Sequence, residues 1–286
     1  MSVSATGLVA YRSGGGTRRQ LTWFDRAGKV LGTVGAPDEN NLSAPCLSPD
    51  GRRVAVFRAV QGNADIWLLD ADRTTRFTFD PSRDVLPLWS PDGSRIVFDS
   101  NRTGRRDLYQ SRDPQTSFDL WVVPLEGDRT PVVWLKTQFE ERRAQFSPVG
   151  RWVAYMSNES GQYEIYVRPF AGPAAPGGAE GRGGGQWQVS AAGGIYPRWG
   201  PGGEEIQYIA PDGTLMAAPI SVSGATLEPG RPVALFRTRI VGGGTDLNVG
   251  TQYDIARDDR ILINTVLGEA AAPITLLQHW QPEAQR

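Results

Sequence analysis

The sequence predicts an all-β chain, a single closed ring of six four-stranded units. Three observations lead there. A turn phrase, Ser-Pro-Asp-Gly, recurs with a β-branched run behind it. Each copy reads as several short strands parted by turns. The copies follow one another from end to end of the 286 residues, so the whole chain, 1–286, is one domain.

The phrase stands as SPDGRRVAVF from Ser48 and SPDGSRIVF from Ser90. Pro presets φ at the first central turn position, Asp can hydrogen-bond its own backbone, and Gly accepts a positive φ. The residues after it are rich in β-branched and aromatic types, which pack well on a pleated surface. The residues before it, 44–47 and 86–89, are short and apolar, like a buried strand. A third strand starts at Asp65-Ile66-Trp67 and again at Asp107-Leu108-Tyr109, and a fourth covers 75–79. Four short strands in about 40–45 residues is the period of a β-propeller blade.

Weaker copies complete the set. SPVGRWVAY starts at Ser147, with its third strand at 164–167. GPGGEEIQY starts at Gly200, ARDDRILI at Ala256, and SATGLVAY at Ser4, ahead of a strand at 21–25. The six blades then fall near residues 2–35, 42–80, 86–137, 144–190, 195–238 and 250–281. Ring closure is expected through the termini, with a strand at 274–280 packing in the last blade beside the N-terminal segment.

Two long intervals have visible causes. AGPAAPGGAEGRGGG, residues 171–185, is nearly devoid of apolar side chains and is expected as a dispensable surface loop. A phosphate cradle would need a strand before it, a helix after it and usually a Lys. The other interval holds two copies of one strand start, Asp107-Leu108-Tyr109 and Asp119-Leu120-Trp121. A splice that removed a blade length explains the doubling. It leaves an extended loop around 101–118, with the third strand at 119–124 and the fourth at 131–136.

Composition fits a globular domain with a sizeable core: 40% of residues are hydrophobic and the net charge is −1. That balance excludes an electrostatic footprint for nucleic acid. Only Lys29 and Lys136 are lysines among the 30 basic residues, so the arginines reflect general usage more than a phosphate-binding face. No apolar run of 18 residues exists, which excludes a spanning helix in this chain. The start, MSVSATGLVAY, lacks the basic and long apolar regions of a secretory signal. Cys46 is the lone cysteine and reads as a buried, inert thiol.

The repeats resemble the TolB-type, WD-repeat-like propeller. QLTWFDRAGKVLGTVG from Gln20, DIWLLDADRTTRFTFDP from Asp65, AQFSPVGRWVAYMSNESGQYEIYVRPF from Ala144 and QYDIARDDRILINT from Gln252 further resemble the C-terminal propeller of bacterial serine/threonine protein kinases. That resemblance covers nearly the whole chain. It implies a seven-blade ancestor lacking one blade, a signalling context, and an extracytoplasmic place for a chain cut from such a parent. Val149, the run Pro201-Gly202-Gly203 and the run Arg257-Asp258-Asp259 depart from the turn motif and are expected to weaken those turns. No kinase motif is present.

Chemistry of the chain's own is sparse. His279, the one histidine, lies in an apolar strand pattern, and Gly-x-Ser-x-Gly is absent. One His and one Cys cannot build a zinc site. Asp38, Glu39, Asp84, Glu140, Glu141 and Asp246 fall in loops between repeats and read first as solvated charges.

Propeller geometry places a ligand at the central mouth, on the face of the blade-joining loops, opposite the Ser-Pro-Asp-Gly turns. Arg143, Gln145, Tyr196, Arg198 and Gln252 lie at or beside innermost strands there, with Glu141, Arg102, Asp84 and Asn248 at the rim. The primary reading is a non-catalytic binding or scaffold propeller without a cofactor, a monomer that takes a small ligand, peptide or protein on that face. Arg143 and Arg198 lead it, because Arg recognises carboxylate or phosphate in bidentate fashion. Changing both to Ala should remove binding with little loss of stability. The alternative is a propeller enzyme of the lactonase or lyase type that holds Ca²⁺ on Glu141 and Asp246.

Overall fold

The computed structural model describes residues 2–3, 9–12, 18–70, 73–89, 93, 96–100, 110–113, 117–122, 132–170, 185–247, 250–268 and 274–277. All of its named elements are β-strands, and among the described residues no helix is long and apolar enough to cross a membrane. In chain order the first strands are β1 (Ser2–Val3), β2 (Val9–Arg12), β3 (Arg19–Phe24) and β4 (Val30–Asp38). The second repeat gives β5 (Ser43–Leu47), β6 (Val54–Val60), β7 (Asn63–Leu69) and β8 (Thr74–Arg76). The third gives β9 (Asp84–Trp89), β10 (Ile96–Ser100), β11 (Gln110–Asp113), β12 (Ser117–Val122) and β13 (Val132–Leu135). The fourth gives β14 (Glu141–Phe146), β15 (Trp152–Ser157), β16 (Glu164–Pro169) and β17 (Trp187–Gln188). The fifth gives β18 (Ile195–Trp199), β19 (Glu205–Ile209), β20 (Thr214–Ser223), β21 (Thr226–Pro229) and β22 (Val233–Arg237). The chain then adds β23 (Tyr253–Ile255), β24 (Ile261–Val266) and β25 (Ile274–Leu277).

The architecture is an all-β propeller, but the six-blade closed ring expected from the repeats is not what forms. Among the described residues four sheets have four strands or more: β5–β8, β14–β17, β18–β22, and one ordered β23-β24-β3-β4. Two causes reduce the count. The first and last repeats do not make a blade each; they share one. β24 pairs antiparallel with β3 from Ile261↔Phe24 to Val266↔Arg19, so both ends of the chain build this terminal sheet. The third repeat is divided into a hairpin, β9-β10, and a separate sheet, β11-β12-β13.

Two local expectations change with it. The stretch 101–118 is not wholly loop, since β11 pairs with β12 from Gln110↔Leu120 to Asp113↔Ser117. A polar segment meets its backbone hydrogen-bonding needs by pairing with a neighbour, whatever its side chains. The strand expected at 274–280 forms at β25, beside the N-terminal segment as anticipated. It pairs there with β2 in a three-stranded sheet, not in the last blade. The glycine-rich residues 171–184 and His279 lie outside the described residues.

The turn phrase does what its chemistry requires. Ser48 N–H donates to the Arg53 carbonyl at 2.9 Å, Gly51 N–H to the Ser48 carbonyl at 2.8 Å, and Gly51 holds φ at 69°. The backbone bonds recur at Ser147–Trp152 and Gly200–Glu205, so the departures at Val149 and Pro201 leave those turns intact. Lost there is the aspartate side chain, which in the first turn accepts from Ser48 Oγ and Arg52 N–H.

The largest core cluster lies between β14–β17, β18–β22 and the terminal sheet, around Ala154, Met156, Ile165, Ile206, Ile209, Leu215, Tyr253 and Ile261. Every residue of β15 is buried, as a strand covered on both faces must be. The inner strands neighbour one another in the order β9, β5, β23, β18, β14, an arc that gathers their side chains.

Candidate functional site

Each of four inner strands carries one non-glycine residue in the left-handed region: Ala44 at φ 50°, Leu86 at 54°, Arg143 at 56° and Tyr196 at 59°. They are the same residue of the repeat, four before the turn's first position. Each sits in a shift of register: between Ser43 and Cys46, Val85 and Leu88, Arg142 and Gln145, and Ile195 and Arg198. The inner strands are therefore bulged at one common point. A bulge re-aims a side chain, and a left-handed residue with a Cβ costs on the order of 1–2 kcal/mol. Such strain is retained where the surrounding structure over-determines it.

Described residues on either side of 248–249 reach these positions. Residues 240–247 leave an isolated bridge between Ile240 and Thr265 and meet two of them. The Leu247 carbonyl accepts from Arg143 Nη2 at 3.3 Å, and the Asp246 carbonyl accepts from the Tyr196 hydroxyl at 2.7 Å. At the far end, a Cβ placed on Gly250 would stand 3.2 Å from Leu86 Cδ2 and 3.6 Å from Ala44 Cβ.

Two arginines lie at the polar end of the arc, and they are not equivalent. Arg198 pairs with Asp254, Nε to Oδ1 at 3.4 Å, and both are largely buried. Asp254 also accepts backbone N–H bonds from Leu47 at 2.8 Å and Ile255 at 3.0 Å. Burial still pushes its carboxyl above the usual carboxylate range; Arg198 and the two N–H groups oppose that push. Arg143 faces the Tyr196 ring at 5.6 Å, and its Nε, like that of Arg198, is shut off from solvent without a hydrogen-bond acceptor among the described residues. Burial lowers its pKa, Tyr196 raises it, and the nearby cations Arg142 and Arg198 lower it further. Tyr196 is itself pushed up to about 12, by burial first. Its carbonyl accepts from the Tyr253 hydroxyl at 2.8 Å, which fixes β18 against β23.

The other candidate residues divide. Gln145 is half-buried, and its carbonyl accepts from Trp199 Nε1 at 3.2 Å, the same link that Trp89 Nε1 makes to the Cys46 carbonyl at 3.1 Å. Gln252 is fully buried and belongs to a packing network: Asn264 Nδ2 donates to Gln252 Oε1 and to the Leu42 carbonyl, which also takes Arg19 Nη1. Glu141 is buried and accepts from Thr137 Oγ1, and Asp84 is buried at the head of β9, so neither is a solvated rim charge. Asp246 joins the site through its carbonyl. Arg102 and Asn248 lie outside the described residues. Among the described residues, no three His, Cys, Asp or Glu side chains gather as a metal site.

Asp254 and the Leu247 carbonyl are members that the sequence reading misses. Asp254 had a signal: like Arg198 it stands two residues before its turn, so the repeat places the two on adjacent inner strands.

Comparison with known proteins agrees with the repeat reading. The TolB beta propeller domain family matches residues 9–120. The Tol-Pal system protein TolB of Anaeromyxobacter dehalogenans is 35% identical over 85 residues, 29% of this chain and 18% of that protein's length. Among solved structures, TolB from Acinetobacter baumannii aligns at a TM-score of 0.41 and 14% identity, over 90% of this chain and 66% of that one. Oligogalacturonate lyase from Vibrio parahaemolyticus aligns at 0.46 and 11%, over 91% of this chain and 98% of that one. The match to the TolB beta propeller domain family thus spans residues 9–120, which hold the two full Ser-Pro-Asp-Gly phrases.

Proposed function

We propose that this TolB-type propeller is a non-catalytic binding module, and that it holds its ligand over the inner-strand cluster of Arg143, Tyr196 and Arg198. One observation carries the reading: four strained bulges recur at one repeat position, two of them meeting the Leu247 and Asp246 carbonyls and two standing beside Gly250. A fold that needed only packing would not keep four left-handed residues with side chains at one repeat position. The relative named a Tol-Pal system protein supports a protein or peptide as partner. The likeness of the repeats to kinase-attached propellers supports a sensor role.

A panel of peptides and small acids read by thermal shift tests the proposal, beside hydrolase, lactonase and lyase assays run with and without EDTA. Saturable hits weakened by Tyr196→Phe, with no metal-dependent turnover, are the expected outcome. Turnover that EDTA abolishes and Glu141→Gln removes would overturn it.

A further inference from the structure

We infer that Arg143 alone is the seat for an oxyanion, a carboxylate or phosphate group of the ligand, and that the Leu247 carbonyl oxygen now occupies the ligand oxygen's place. The inference rests on the binding reading above and names the ligand class.

The two arginines separate on pairing. Arg198 already has its counter-charge in Asp254, which is held in turn by two backbone N–H groups. A ligand anion there would have to compete with a fixed carboxylate. Among the described residues Arg143 has no carboxylate partner: it meets one carbonyl at 3.3 Å and the face of Tyr196. A guanidinium presents five N–H donors in a planar fork. One long bond to a neutral oxygen leaves that fork mostly unused, and among the described residues its sealed Nε has no hydrogen-bond acceptor; Arg198 Nε shares that lack, so the carboxylate of Asp254 is what separates the two. Arg143 is half-buried, and withdrawing a cation even partly from water without a counter-charge is costly. The two nearest cations, Arg142 and Arg198, add repulsion that a bound anion would relieve; Arg142 is itself tied to Glu140 at 2.7 Å.

The backbone adds its own argument. Arg143 occupies a left-handed bulge that glycine would fill without strain. The same bulge forms with Ala44 and Leu86, so the fold does not require a guanidinium there. What Arg143 adds is charge aimed into the arc. The Leu247 carbonyl satisfies part of it while the site is empty, and a charged oxygen would replace that bond with shorter, stronger ones.

The test uses the whole chain at fixed ionic strength, with chloride exchanged for inorganic phosphate in one arm and for succinate in the other, read by melting temperature. The wild type should show a saturable rise of several degrees in at least one arm, and that arm identifies the source of the oxyanion. Arg143→Gln should weaken the response at least tenfold. Arg143→Gly should abolish it and, without anion, melt no lower than the wild type, which separates loss of binding from loss of fold. Arg143→Lys should restore part of the response. A wild type without a saturable rise in either arm overturns the inference. So does a response that Arg143→Gln leaves unchanged. Peptide hits that persist in Arg143→Gln sink the oxyanion seat and leave the binding module standing, whereas metal-dependent turnover removes the binding reading itself.

Discussion

The two ends of the inner arc share a backbone and differ in side chains. At one end β5 and β9 bend at Ala44 and Leu86; at the other β14 and β18 bend at Arg143 and Tyr196. Both ends carry the same link to the neighbouring strand, a tryptophan N–H on a backbone carbonyl: Trp89 to Cys46 and Trp199 to Gln145. What is common to both ends belongs to the fold. What differs, an apolar pair against a cationic and aromatic pair, is free for a ligand to use. A repeat protein thus contains its own control, because one copy shows what the other could have been.

The largest effect should come from what the ends share. Trp89→Ala and Trp199→Ala each remove a nearly buried indole and its N–H link, and each should cost about 3–5 kcal/mol in chemical denaturation. A cost under about 1 kcal/mol at either end would break the equivalence. Next comes Arg198→Ala, which strands Asp254 and should cost about 1–3 kcal/mol. This revises the sequence-based expectation that both arginines could be removed with little loss of stability. The double change with Asp254→Ala should cost less than the two single changes summed, a coupling that a double-mutant cycle measures directly. Strict additivity would show that the pair is not a unit.

Smaller still is Ala44→Gly. It relieves the same left-handed strain as Arg143→Gly with no charge to lose, against the chain entropy that glycine adds, so stability should move by less than about 1 kcal/mol. A large loss would mean that the apolar end uses its side chain for packing after all. The effect that is silent at neutral pH concerns Cys46, whose thiol burial pushes up to about 12, with Asp254 adding to the push. Its folded pKa lies above its unfolded value of 9.0, so this contribution to stability is complete below pH 9 and fades as pH rises toward 12. Cys46→Ala should flatten the stability profile above pH 9, and the native thiol should resist a disulfide exchange reagent at pH 8. Rapid labelling would contradict the burial.

The turns and the propeller class were legible because their chemistry is local. Gly51, Gly93, Gly150 and Gly203 stand at the same offset in four copies, and each adopts a positive φ. The bulges were not legible by residue type, since Ala, Leu, Arg and Tyr share no propensity for φ > 0. Their trace was the next residue: Pro45, Pro87 and Pro197 lack the N–H that a bulge leaves unpaired. The blade count misled because periodicity counts copies, and two half-copies at opposite ends of the chain can make a single sheet. Arg198 was legible as an inner-strand arginine, but its pairing with Asp254 needed the register across two repeats.

That shared sheet has a consequence for how the protein is made. β3 leaves the ribosome well before its partner β24. Until Ile261–Val266 has been synthesised, the edge from Arg19 to Phe24 has no partner on that side, and it carries Leu21, Thr22 and Trp23. An open apolar edge invites pairing with other chains. The contact also pairs residues as far apart in sequence as Phe24 and Ile261, a separation that slows its formation. Nascent chains therefore pass through a period in which most blades are complete and the terminal sheet is half built, and holding that edge apart from its neighbours falls to the cell.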